Sequence, residues 1–160
     1  MSTQDDGNGP ELLLAKFKKL HEQRVSLYVY YEAEYMTFLR SYLIEQASAL
    51  LGYEVLLKSV ALEMNQINQG VRELKATALA QGLESFAAIL DAVQIIERDK
   101  FQLTAHAQLS LKATLFARQY AEEDLATINS LPEFTFYVAE KHRLHALINE
   151  QLDELQCLLD

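Results

Sequence analysis

The chain has 160 residues, half of them hydrophobic, with five glycines, two prolines, one cysteine and a net charge of −9. That length suffices for one domain with its own core, and so few breakers among abundant Ala, Leu, Glu and Gln set the class as all-α. The composition excludes an internal disulfide and any apolar run near the roughly 20 residues that span a bilayer.

Residues 1–9, within MSTQDDGNGP, read as a disordered, acidic and glycine-rich leader. The leader has neither the apolar core of a signal peptide nor the arginines of a transit peptide, so nucleus or cytoplasm is the expected setting. Residues 10–160 read as a single helical domain. Pro10 suits the first turn of a helix, where its missing N–H costs nothing. Four helical stretches are expected: about 10–39, about 42–80, about 83–128 and about 133–159. Ser41 is the expected cap of the second stretch, unless the first two run together. Gln81-Gly82 marks the next joint, and INSLPEF (128–134) the last, with Pro132 near the start of the fourth helix. Gly70 marks a weak point or kink inside the second stretch. Long helices with short joints predict an elongated antiparallel bundle with coiled-coil-like seams.

In the first stretch Leu13, Phe17, Leu20, Arg24, Leu27, Tyr31 and Phe38 are spaced 4, 3, 4, 3, 4 and 7, a heptad seam. Tyr35 joins that arc and Tyr28 borders it, whereas Tyr30 points about 100° away. A single-strand binder needs its rings free for bases to stack on. Here most rings belong to a packed face. Arg24 is the anomaly in the seam, with Glu34 at its margin. We read Arg24 as a register-setting residue with a satisfied ion pair; the competing reading is an anchor for a partner.

In the third stretch Val93, Ile96, Lys100 and Leu103 follow one seam, with Glu97 and Phe101 beside it. Glu97 can pair locally with Lys100, or it can receive Arg24 from the first helix. In the fourth, Tyr137, Lys141, Leu144, Ile148, Leu152, Leu155 and Leu159 share one stripe. Cys157 reads as a small apolar filler in a reducing compartment.

The residues offer no chemistry. There is no phosphate loop, nucleophile elbow or CxxC pair. A di-iron bundle wants two Glu-x-x-His pairs on facing helices, and none is present. His142 and His145 lack a third ligand, so no metal site is assigned. Glu122, Glu123 and Asp124 read as a solvated turn of helix. Residues 122–160 carry nine acids against Lys141 and Arg143, while residues 11–40 carry five bases against four acids. That balance disfavours direct nucleic-acid binding, whose affinity comes largely from neutralised phosphates.

Three elements in order carry a likeness: Phe17-x-x-Leu20-x-Glu22-x-Arg24-x-x-x-Tyr28, then Gln94-x-x-Glu97-x-x-Lys100 leading into QLTA, then His142 through INEQLDEL (148–155). On these the chain resembles the Required for Excision 1-B domain family, from about residue 11 to 158. Phe101 departs from the leucine expected there, and 39–60 is more hydrophobic than the family's usual connection. The resemblance implies a small helical adaptor tied to excision repair of DNA, acting through protein partners, with no catalytic residue and no cofactor. Phe17, Leu20, Arg24, Tyr28, Glu97, Lys100, Asn149 and Glu150 match the family pattern and are read as structural. The alternative is a structural subunit of a large cytoskeletal or ciliary assembly.

Overall fold

The computed structural model describes residues 9–44, 46–118 and 132–159. They form four helices: α1 (Pro10–Ile44), α2 (Gln46–Ala80), α3 (Glu84–Arg118) and α4 (Pro132–Cys157). Residues 1–8 of the expected leader, and residues 119–131 at the expected third joint, lie outside the described residues. The described helices pack against one another as an all-α bundle, and there is no strand among the described residues. Each 35-residue helix is about 50 Å long at 1.5 Å per residue.

Two of the boundaries have a clear local cause. Gly9 offers its carbonyl to the N–H groups of Leu12 (3.0 Å) and Leu13 (3.1 Å), and Pro10 follows as first helical residue. At the other end of α2, Gly82 takes φ 75°. Leu83 N–H then reaches back to Ala78 O (2.8 Å) and Gly82 N–H to Leu79 O (3.1 Å). This is a Schellman closure, and only glycine takes that backbone angle without strain. The expected joint at Gln81-Gly82 stands where the sequence placed it.

The first joint does not. α1 continues to Ile44, and Ser41 is an interior residue whose hydroxyl donates to Thr37 O (3.0 Å). A serine bonded to the carbonyl four residues back satisfies itself inside a helix and caps nothing. Gly70 does not break α2 either. A Cβ there would lie 3.0 and 3.1 Å from the two methyls of Leu20, so this glycine lets α1 approach. Alanine at Gly70 is therefore expected to gain about 1 kcal/mol of helix propensity only in a Leu20→Ala background. In the otherwise unchanged chain most of that gain should be cancelled by crowding. Urea unfolding of the four variants measures the difference.

Two apolar clusters share the core. One gathers Leu27, Tyr28, Tyr31, Tyr35, Phe38 and Leu39 of α1 with Tyr53, Leu56, Val60 and Met64 of α2. It is aromatic, with Phe38 stacked on Tyr53 at 4.4 Å. The other draws on all four helices, through Phe17, Val71, Leu74, Phe86, Leu90, Val93, Ile148 and Leu155 among others. Leu20 packs against both. The α1 seam and the α4 stripe are buried or half-buried at every residue named for them, and Tyr30 is exposed. Cys157 is exposed, not a filler. It sits two residues past buried Leu155, about 200° around the helix.

Candidate functional site

A polar layer separates the two clusters, and α1, α2 and α3 each cross it next to apolar residues. On α1 Arg24 lies between Phe17 and Leu27. On α2 Asn68 lies between Ile67 and Val71, and on α3 Glu97 follows Val93. Arg24 is 1% exposed, Glu97 5% and Lys100 3%, as buried as the apolar core. Charges so deep are costly to desolvate unless they are paired and hydrogen-bonded.

Arg24 holds the layer together. Its Nη2 donates to Asn68 Oδ1 (2.9 Å) and to Gln94 Oε1 (2.6 Å). Its Nη1 stands 3.6 Å from Glu97 Oε1, so the expected pairing of α1 with α3 is present. One guanidinium thus ties three helices, using the forked donor geometry that lysine lacks. Lys100 does not close a local pair with Glu97; its ammonium lies over the Tyr28 ring, 4.1 Å from the centroid. Burial pushes the Glu97 carboxyl up, against the pull of Arg24 and Lys100. Burial likewise lowers Arg24 and Lys100, opposed by Glu97.

His21 borders the layer, its Nδ1 3.9 Å from Glu97 Oε1. Burial, then the positive charges of Arg24 and Lys100, then His145 of α4, lower it from 6.5 to about 4. A folded value below the unfolded one gives stability that is full above about pH 6.5 and lost as the pH falls toward about 4. Glu97, shifted upward, works in the opposite sense: its contribution is full at low pH and lost as the pH rises through its folded value. The His21→Gln variant isolates the histidine. Between pH 7 and pH 4 it should lose about 1–2 kcal/mol less stability than the parent chain, read by urea unfolding across that range.

Beyond Val93 the buried positions of α3, as far as its side chains are described, are polar: Glu97, Lys100, Thr104 and Gln108, with Ile96 and Phe101 half-buried beside them. Tyrosines meet these positions from three helices. Tyr31 and Tyr53 both donate to Gln108 Oε1, the latter at 3.0 Å, and Tyr35 donates to Gln108 O at 2.6 Å. Tyr137 of α4 lies 3.4 Å from Thr104 Oγ1 and donates to Glu32 Oε1 (3.0 Å), which Lys141 also holds. Phe101, in place of the expected leucine, lays its ring against Tyr31 at 6.4 Å.

The layer therefore brings together Arg24, Tyr28, Glu97 and Lys100, flanked by Phe17 and Leu20. It leaves out Asn149 and Glu150, which face solvent on α4. Sequence reasoning missed Asn68, Thr104 and Gln108. The last two continue the 3–4 spacing from Val93 through Glu97 and Lys100, a signal present but polar. Asn68 gives none. Among the described residues no three His, Cys, Asp or Glu side chains converge as a metal site would require.

A family model described as DNA repair REX1-B matches residues 12–111. The match takes in nearly all of α1, α2 and most of α3. It holds the Phe17–Tyr28 and Gln94–Lys100 elements and stops short of α4, where the His142–Leu155 element lies. No curated protein and no solved structure matches the chain.

Proposed function

The chain belongs to the DNA repair REX1-B family, and from that membership we propose that it serves excision repair as a non-catalytic helical adaptor that binds other proteins. The repair link comes from the family. The adaptor reading is carried by one observation, an apolar stripe on the outside of α2. Leu51, Val55 and Leu62 are 67, 68 and 61% exposed. At about 100° per residue they fall within about 40° of one another, opposite the face that carries Tyr53, Val60 and Ile67 into the core. Scattered exposed leucines need no explanation, but a stripe aligned on one helix face is what a partner helix docks on.

Charge supports the same reading, because a chain at −9 meets duplex DNA at a disadvantage. The nucleus is the setting that a repair role implies. No described helix is long and apolar enough to cross a membrane.

The test is purification of the endogenously tagged protein, with mass spectrometry, before and after ultraviolet damage. Excision-repair factors should co-purify, and should be lost from the Leu51→Glu/Val55→Glu variant. A stable, damage-independent assembly without repair proteins would overturn the reading in favour of a structural subunit.

A further inference from the structure

α2 and α3 part on their outer side to leave a groove of about 670 Å³, walled from Ala61 to Arg72 on α2 and from Asp91 to Gln102 on α3. Each wall is about 16 Å long, three turns of a helix. The register of the two antiparallel walls follows from Lys75 and Asp91, which pair at 2.9 Å at one end. Seven residues on along α3 and seven back along α2, Arg98 stands level with Asn68, where Arg24 joins the two helices. Arg72 lies one turn, about 6 Å, from that level on the opposite wall. Met64 and Phe101, the apolar end of the groove, lie about one turn to the other side.

The charges of the groove do not cancel. Its two acids are already taken, Asp91 by Lys75 and buried Glu97 by Arg24. Arg72 donates to Gln69 Oε1 from Nη2 (2.8 Å) and Nε (3.2 Å), and Gln69 donates in turn to Glu73 (3.3 Å). Neither Arg72 nor Arg98 forms an ion pair with a described residue. Two exposed guanidinium groups thus border one groove without a carboxylate, in a chain at −9.

We propose that this groove receives an acidic amphipathic helix of a partner protein, carrying one apolar residue and two carboxylates on successive turns of one face. The carboxylates, at i and i+4, meet Arg98 and Arg72, whose forked donors match them. The apolar residue packs on Met64 and Phe101. A lone phosphoryl group answers the arginines but leaves the apolar end uncovered, and a nucleic acid brings a whole phosphate backbone to an acidic chain. The stripe of Leu51, Val55 and Leu62 adjoins the groove, because Leu62 lies three residues before Asn65 on its wall.

The proposal rests on the adaptor reading and names the partner's chemistry, yet the two fail separately. A photo-cross-linking amino acid replaces exposed Ile95, beside Arg98, in one tagged full-length chain and Val55, on the stripe, in another. Cells expressing each are irradiated, and the captured peptides are identified by mass spectrometry. Position 95 should capture a segment with two acids at i and i+4. Arg72→Glu/Arg98→Glu should cut the yield at least about tenfold with thermal unfolding unchanged. Arginines in place of the two acids of the captured segment should restore it. Capture at 55 but not at 95 would overturn the groove and leave the adaptor reading standing; capture at neither would overturn both. A segment without the acid pair, a phosphorylated segment, a second copy of this chain, or a yield indifferent to the charge reversal would also overturn the assignment.

Discussion

Replacing Glu97 with leucine is expected to destabilise the bundle by about 3–5 kcal/mol, the cost of leaving one member of a buried ion pair without its partner. Arg24 cannot escape by losing its proton, since guanidinium stays charged in proteins. It would keep Asn68 and Gln94 as acceptors, but no countercharge. Arg24→Met should cost less at acid pH than at neutral pH. Burial already pushes Glu97 upward, and a protonated carboxyl is the cheaper orphan.

The double variant Arg24→Met/Glu97→Leu decides what the pair is for. Attraction between buried charges repays their desolvation only in part, and apolar pairs of similar volume are often as stable. The double variant should therefore come within about 2 kcal/mol of the parent chain in urea unfolding. If the layer sets register, stability returns but uniqueness does not. The two apolar clusters would merge into one seam along which α1 can slide against α2 and α3. Doubled or broadened amide resonances in the double variant, with full helicity retained, are the expected signature. A sharp, single spectrum would assign the layer to something other than register.

Much of this layer was legible in the residues because its logic is geometric. A heptad seam fixes which α1 residues face inward, so an arginine within it must either find a partner or cost several kcal/mol. Glu97 was a matching carboxylate beside an inward seam. What could not be read was Asn68, since a carboxamide on α2 has no charge to demand a partner. The polar face of α3 beyond Val93 was hidden for a related reason. Apolar periodicity marks an inward face, and Thr104 and Gln108 are inward without being apolar. The end of α1 was misplaced because Ser41 is a plausible cap by type. Only its bond to Thr37 O distinguishes an interior serine from a capping one. Asn149 and Glu150 matched the likeness yet lie on the solvent face of α4. A match of residue type along a helix says nothing about which way the residue points.

The second large effect belongs to Gln108. One side-chain oxygen there accepts from both Tyr31 and Tyr53, and the same residue's main-chain oxygen accepts from Tyr35. Gln108→Leu keeps the volume and takes the shared acceptor from two buried hydroxyls that can then turn only to each other. One of them stays orphaned, and an orphaned buried donor costs about 1–3 kcal/mol, so a loss of about that size is expected. Phenylalanine at Tyr31 or Tyr53 should cost about 1 kcal/mol in the parent chain. In the Gln108→Leu chain the two substitutions made together should be stabilising, because they remove the orphan along with its neighbour. Tyr35 supplies the internal control. Its acceptor is the main chain, which no substitution at Gln108 removes, so Tyr35→Phe should cost the same about 1 kcal/mol in both backgrounds. Sign inversion at Tyr31 and Tyr53 with constancy at Tyr35 would show that one carboxamide organises the aromatic end of the bundle. Equal costs at all three would mean the hydroxyls find water when Gln108 is lost. The cluster would then owe its stability to ring packing alone.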